Sequence, residues 1–141
     1  MADIVILGRG QDFLLLTAEA SPAEMGPYLS AGPIHKAARY QLYALLLGCF
    51  SEEAEAFEYL HHELDADGPY ILLIDRLITD NLAAFEESEV EQITEHWLAC
   101  SPMEALDVEA DDVLSFVFEL VHLCKLRAQT EQLDLFVYHE G

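Results

Sequence analysis

The acidic side chains of this chain are concentrated after its first third. Residues 1–50 hold four acids and three bases, a net charge of −1, whereas residues 51–141 hold 23 acids and three bases, a net charge of −20. Hydrophobic residues nevertheless make up 52% of the 141 residues, which is too many for an acidic disordered tail. The acids must therefore lie on the outside of a packed fold, and we expect a single domain over residues 1–141.

The same charge restricts the partners that the chain can bind. A field of this sign attracts cationic partners and repels nucleic acid, and six bases are too few for a phosphate-binding footprint. No apolar run reaches the roughly 20 residues of a membrane span, and the first residues lack the basic segment of a signal peptide. Three cysteines without a C-x-x-C pair favour reduced thiols. We expect a cytoplasmic protein that binds neither membrane nor nucleic acid.

Short apolar segments near both ends predict strands, with helices between them. Residues 3–7, 12–17 and 133–138 have strand character, and residues 8–11 are predicted to close a hairpin between the first two strands. We therefore predict an α+β fold in which a small antiparallel or mixed sheet from the N- and C-terminal strands packs against about five helices. Residues 70–78 fit either a buried strand or a helix, because a short apolar run has no diagnostic period.

Capping signals and apolar periodicity predict the helices. The strongest pattern covers residues 34–47 and predicts a central buried helix that either ends or kinks at Gly48. Ser51 is predicted to start a helix that reaches residue 64, with Leu60 facing inward and Glu58 facing solvent. Further helices are predicted to begin near residues 21, 88 and 101, and the last one covers about residues 108–129.

The motifs for metal binding are incomplete. Carboxylates alternate over residues 63–68 with a glycine at the sixth position, as in a calcium loop, but the twelfth position lacks the bidentate glutamate. His61 and His62 are adjacent and would point about 100° apart on a helix. His96 and Cys100 are four residues apart but lack a second pair of ligands. We therefore predict no metal site and no cofactor.

The sequence also lacks a recognisable catalytic motif. There is no G-x-S-x-G and no P-loop lysine, and the glycines at positions 8 and 10 lack the third glycine of a dinucleotide-binding turn. The cysteines lie in apolar segments, where a thiol is unreactive. We expect a non-enzymatic protein. The alternative is a small-molecule-binding or enzymatic domain whose pocket joins residues distant in sequence, among them His61, Tyr70, His96 and His122.

The acids form clusters with almost no interleaved bases. Ordinary surfaces mix the two signs, and helices gain from opposite charges four residues apart, so this pattern indicates selection for the field itself. The alternative for any one cluster is a surface that only confers solubility. The small basic cluster His35, Lys36 and Arg39 is interpreted as an internal partner for the acids.

These observations predict an acidic binding protein, a bacterial immunity- or antitoxin-type inhibitor of a basic protein toxin or effector. Such inhibitors gain association rate from electrostatic steering, and a few buried charge pairs dominate their affinity. The oligomeric state and the identity of the partner stay open. The predicted partner-binding residues are Glu52, Glu55, Glu58, Glu87, Glu91, Asp111 and Asp112.

The segment Ile-His-Lys-Ala-Ala-Arg-Tyr-Gln-Leu-Tyr-Ala-Leu-Leu-Leu-Gly, residues 34–48, resembles a block of the YfbM-like family of small bacterial proteins of unknown function. In that family an Ile-Asp-Lys-Ala-Trp start leads into a leucine-rich helix that ends in glycine. Here His35 replaces the aspartate and Ala38 replaces the tryptophan. Residues 85–97 are similar to the start of the family's second conserved helix. The resemblance implies an α+β fold and a bacterial source, and it supplies no catalytic residues.

Overall fold

The structure, a computed structural model, describes residues 3–16, 25–66 and 69–139. These residues form a five-stranded antiparallel sheet and seven helices, which confirms the predicted α+β fold. The strands are β1 (Ile4–Gly8), β2 (Tyr28–Ser30), β3 (Glu58–Glu63), β4 (Tyr70–Ile74) and β5 (Asp134–His139). The helices are α1 (Gly10–Phe13), α2 (Lys36–Leu47), α3 (Ser51–Ala54), α4 (Arg76–Ala83), α5 (Glu87–Leu98), α6 (Ser101–Glu104) and α7 (Ala110–Ala128).

The sheet has the strand order β2-β1-β5-β4-β3, so the last strand of the chain lies at its centre. Val137 is opposite Val5 of β1 on one side and Leu72 of β4 on the other. The prediction that the terminal strand pairs with the first strand is therefore confirmed. The sequence patterns did not predict β2 or β3, and they left the segment of β4 undecided between strand and helix.

The central strands β1 and β5 are buried on both faces, since their side chains alternate between the two sides and nearly all are buried. Val5, Leu135 and Val137 face the large core formed with the helices. On the other face, Ile6 and Phe136 belong to a second, smaller cluster. Strands that are covered on both sides need continuous apolar runs, and this explains why β1 and β5 are the most hydrophobic segments at the two ends of the chain.

The second face is covered by α1, where the sequence predicted a strand over residues 12–17. That prediction is wrong for the described residues 12–16. Phe13 packs its ring against Phe136 with centroids 4.4 Å apart, and a Cβ at Gly8 would lie 2.7 Å from the Phe13 ring, so glycine permits this approach. Strand β2 pairs with β1 instead of the predicted hairpin partner. The helix predicted from residue 21 begins outside the described residues.

The predicted helix over residues 51–64 is wrong beyond Ala54. A 3₁₀ turn (Glu55–Phe57) follows α3, and β3 then pairs with β4 along the edge of the sheet. Leu60, predicted to face inward, is 55% exposed. Strand pairing provides hydrogen bonds and cross-strand contacts that a local helical pattern does not reveal, and here they outweigh it.

The central helix α2 agrees with its prediction. Its first turn is capped by His35, whose Nδ1 accepts a hydrogen bond from the backbone N–H of Ala38 at 3.4 Å. Gly48 ends the helix at φ +66°, a left-handed conformation that favours glycine. Ala38 and Leu42 are fully buried, so this face of α2 packs into the core beside the sheet. The polar residues next to them on α2 therefore lie near buried groups of the sheet.

The ambiguous residues 70–78 contain both predicted alternatives in succession. Strand β4 ends at Ile74, and Asp75 then caps α4 by accepting a hydrogen bond from the backbone N–H of Leu77 at 2.8 Å. The last helix is confirmed as α7, within two residues of the predicted bounds. Its predicted inward face is buried throughout: Val113, Phe116, Val117, Leu120, Val121 and Cys124.

Candidate functional site

Six of the seven predicted partner-binding residues are exposed, as the sequence predicted. They lie in three places: α3 and the turn after it, the first half of α5, and the first turn of α7. These residues are Glu52 and Glu55, Glu87 and Glu91, and Asp111 and Asp112.

Glu58, the seventh, is wrongly predicted as a surface contact. It is only 6% exposed, because it begins strand β3 and points toward α2 instead of continuing a surface helix. Its carboxylate accepts hydrogen bonds from Arg39 Nε at 2.8 Å and Arg39 Nη2 at 3.0 Å. Glu58 therefore has a structural role inside the fold and cannot be presented to a partner.

The exposed acids of α5 and α7 have no cationic partner in the described part of the chain. Every ion pair formed there uses one of four other acids, namely Asp3, Glu58, Asp80 and Asp134. On α5, Glu87, Glu91 and Glu95 follow each other at intervals of four residues and are all exposed. Like charges at this spacing destabilise a helix, so the stripe has a cost that no salt bridge offsets.

Most bases are bound elsewhere in the fold. Arg76 pairs with Asp134 at 2.9 Å, and Arg127 pairs with Asp80 at 3.2 Å. Lys125 donates to the backbone carbonyl of Ala83 at 2.7 Å instead of to an acid. The bases therefore hold elements of the fold together and leave the exposed acids uncompensated.

The structure does not bring the predicted acids of α5 and α7 together. Glu87 lies beside His122 and Lys125 in the second half of α7, where they line one shallow depression. Asp111 precedes His122 by 11 residues, which corresponds to about 17 Å along the helix axis. A single partner that contacts both groups must therefore span about 17 Å along α7.

A buried ion network lies between α2 and the sheet. Arg39 donates to Asp3 at 2.7 Å through Nη1 and holds both oxygens of Glu58, and Tyr43, one turn further along α2, donates its hydroxyl to Glu58 at 2.5 Å. His139 at the end of β5 approaches the other oxygen of Asp3 at 2.6 Å through Nδ1. The interpretation of Arg39 as an internal partner for acids is thus confirmed.

The pKa values in this network follow from burial and charge. Burial alone would lower the pKa of Arg39, but the hydrogen bonds and charges of Glu58 and Asp3 outweigh it, so the pKa of Arg39 is raised. Burial, followed by the negative charge of Glu58, raises the pKa of Tyr43 well above its ordinary value. Arg39 is therefore a permanent cation and Tyr43 a neutral hydrogen-bond donor.

A cleft opens above this network. Its volume is about 530 Å³, within the range of small-molecule sites. Asp3 and Arg39 form its floor, and along one side the ring of Tyr70 contacts that of His139, with centroids 4.8 Å apart and the planes tilted by 40°. The remaining lining residues are Gly32, Pro33, Ile34, His35, Lys36 and Leu72. The sequence predicted Tyr70 as a candidate residue of a pocket that joins distant parts of the chain, but it did not predict this cleft.

The residues considered as candidate metal ligands in the sequence are not brought together in the described residues. His61 and His62 lie in β3, where a bulge lets both reach the α1 segment: Nε2 of His61 contacts the carbonyl of Gly10 at 2.7 Å, and Nε2 of His62 contacts that of Leu16 at 3.4 Å. No group of three or more His, Cys, Asp or Glu side chains in residues 3–16, 25–66 and 69–139 could hold a metal ion. Part of the calcium-loop pattern, residues 67–68, lies outside them.

The three cysteines are free thiols. Cys124 is fully buried, and burial raises the pKa of its thiol to about 12. Burial also raises the pKa of Cys100. A raised pKa keeps a thiol protonated and unreactive at neutral pH, so these two groups are poor nucleophiles.

Comparison of the chain with protein-family models, with curated proteins and with solved structures found no match. The resemblance to the YfbM-like family therefore stays a prediction. Among the described residues, no helix is long and apolar enough to cross a membrane.

Proposed function

We propose that this protein is a non-enzymatic binding protein of the immunity or antitoxin type, which neutralises a basic protein toxin by presenting exposed carboxylates. The observation that carries the proposal is the unpaired state of the acids on α5 and α7 in the described part of the chain, where Arg39, Arg76 and Arg127 are engaged in other contacts. We propose the stripe Glu87, Glu91 and Glu95, together with Asp111 and Asp112, as the principal contact surface.

The stripe on α5 supports the proposal because it is costly to the free protein. Each pair of like charges four residues apart destabilises a helix by about 0.2–0.5 kcal/mol. A solubilising surface does not require this arrangement, since interleaved lysines would keep the protein soluble and stabilise the helix. A cationic partner removes the repulsion on binding, so part of the cost is recovered in the complex.

The net charge of −21 also supports a fast-binding inhibitor. Opposite fields raise the association rate of two proteins by orders of magnitude at low salt, and the effect falls steeply as salt screens it. A toxin must be captured before it acts, so the rate of association is the property that such a surface improves most.

The experiment is affinity capture from the native host at low salt, followed by identification of the retained protein. The recovered partner is then assayed for toxicity alone and together with this protein. We expect to recover a basic protein whose toxicity this protein suppresses. The rate at which the two proteins associate should fall at least tenfold between 50 and 500 mM NaCl, as expected for electrostatic steering.

A matched pair of triple variants separates the stripe from net charge. Glu87→Gln, Glu91→Gln and Glu95→Gln remove three charges from α5, whereas Asp12→Asn, Glu63→Gln and Glu131→Gln remove three exposed charges elsewhere. Only the first set should slow association strongly. Equal effects of both sets, a complex indifferent to salt, or recovery of no basic protein would each contradict the proposal.

A further inference from the structure

The cleft above the ion network differs in charge from the rest of the surface. Among the described residues that line it, Asp3 is the one acid, and both of its oxygens are already bound, one by Arg39 and one by His139. Lys36 lines the rim and forms no hydrogen bond or ion pair within the described residues. By contrast, a neighbouring depression is lined by three acids, Asp107, Glu109 and Asp112. Lys36 is therefore the charged side chain that the described lining of the cleft leaves available to a ligand.

The walls of the cleft are apolar and aromatic. Pro33, Ile34 and Leu72 line it together with the contacting rings of Tyr70 and His139. His139 uses Nδ1 to contact Asp3, which leaves Nε2 as the ring nitrogen that a ligand could reach. Small-molecule sites typically combine such apolar walls with a few convergent polar groups.

The polar groups restrict the ligand to one class. A cation is disfavoured because both oxygens of the Asp3 carboxylate are already bound, one by Arg39 and one by His139. A phosphate is best held by a free bidentate arginine, but the guanidinium of Arg39 is bound to Glu58, Asp3 and the carbonyl of Ile34. One unpaired lysine beside aromatic side chains is suited to a ligand that carries a single negative charge on a planar ring.

We propose that this cleft binds a small aromatic carboxylate, with its carboxylate at Lys36 and its ring against Tyr70 and Leu72. The site is independent of the acidic helices, so this proposal does not rest on the proposed toxin-binding function. The ion network holds the side chains beneath the cleft in place, and the negative charge of the ligand contacts Lys36 instead of this network.

Benzoate is the probe, added to the ¹⁵N-labelled full chain at pH 7 and constant ionic strength. We expect saturable shifts of the backbone amides of Ile34, Lys36, Tyr70, Leu72 and His139. Acetate, benzylamine and inorganic phosphate are titrated in parallel, and each should bind at least tenfold more weakly. Acetate lacks the ring, benzylamine has the wrong charge, and phosphate lacks both the ring and the single charge.

Two variants with the same change in net charge test the assignment of Lys36. Lys36→Met should weaken benzoate binding about tenfold, and Arg9→Met, which removes an exposed base outside the cleft, should leave it within twofold. Both substitutions are at exposed positions, so neither should unfold the protein. Absence of saturable shifts, shifts confined to other residues, equal effects of the two variants, or phosphate or benzylamine binding as tightly as benzoate would each overturn the proposal.

Discussion

The interior and the surface of this protein use charge in opposite ways. Beneath α2, one arginine binds two acids at distances of 2.7–3.0 Å, and a tyrosine hydroxyl donates to one of them, Glu58. On α5, three acids face solvent at intervals of four residues without a cationic partner in the described part of the chain. Of the six bases of the chain, Arg39 and Arg127 are buried, where desolvation makes pairing essential.

The difference shows which charges the fold requires. An unpaired carboxylate in the interior would cost several kcal/mol, whereas an unpaired carboxylate in water costs little. The distribution of bases is therefore dictated by stability, and the exposed acids are free to serve another purpose. The interior pairs should control unfolding, and the surface acids should control association.

The largest expected effect is the loss of Arg39. Arg39→Met leaves Glu58 and Asp3 buried without their cation, so the free energy of unfolding should fall by about 3–5 kcal/mol. Chemical denaturation at pH 7 measures this change. Arg9→Met, at an exposed position whose side chain forms no hydrogen bond or ion pair within the described residues, should change stability by no more than about 0.5 kcal/mol.

A double variant sharpens this result. Arg39→Met combined with Glu58→Leu removes the arginine together with the acid that it holds through two hydrogen bonds, and part of the lost stability should return because one fewer charge is left unpaired. A loss below about 1 kcal/mol in Arg39→Met would contradict the distinction between interior and surface.

The second effect concerns the hydroxyl of Tyr43. Tyr43→Phe removes one hydrogen bond to the buried Glu58 carboxylate, which should cost about 1.5–3 kcal/mol at neutral pH. Tyr28→Phe is the control, because Tyr28 is 54% exposed and should be nearly neutral. A loss for Tyr43→Phe no larger than that of the control would contradict the role of this hydroxyl.

The same variant has a defined pH dependence. Because the pKa of Tyr43 is raised in the folded state, its contribution is complete below the unfolded pKa near 10 and is lost as pH rises above that value. The unfolding free energies of wild type and Tyr43→Phe, followed by urea denaturation between pH 8 and 11, should therefore converge above pH 10. A difference that stays constant over this range would contradict the assignment.

The elements that the sequence predicted well are those whose signal is local. Helix α7 has an apolar face with the period of a helix, and α2 ends at Gly48, so neighbouring residues determine both. Exposure of Glu87 and Glu91 followed from the same helical period on α5. Strand β5 was predicted from a short apolar run at the end of the chain.

The parts that were wrong depend on residues distant in sequence. Glu58 looks like a helix surface residue among its neighbours, and its burial is determined by Arg39, 19 residues earlier, and by pairing with β4. Asp3 is 36 residues from Arg39. The one available signal was a single arginine among the apolar residues of α2, which indicated a buried acidic partner without identifying it. The cleft could not be predicted, because loops and strands from both ends of the chain form it.

A smaller effect tests the surface half of the comparison. Glu91→Lys converts two repulsive pairs, with Glu87 and Glu95, into attractive ones, so stability should rise by about 0.5–1 kcal/mol at low salt. Glu119→Lys is the matched control, because this exposed residue of α7 has no acid three or four residues away. The gain should nearly vanish in 1 M NaCl. Equal gains in both variants would show that net charge matters and the stripe does not.

The smallest expected effect, a change in melting temperature, distinguishes general repulsion among the exposed acids from a specific metal-binding site. Sodium chloride should raise the melting temperature by a few degrees, since screening relieves repulsion among the exposed acids. The stability difference between wild type and Arg39→Met should stay nearly constant over the same series, because buried pairs are poorly screened. Calcium or zinc at micromolar concentrations should do no more than magnesium at equal ionic strength. A saturable shift produced by one ion and abolished by chelator would instead require a metal site, and Glu63, Asp65 and Asp67 would be the residues to substitute first.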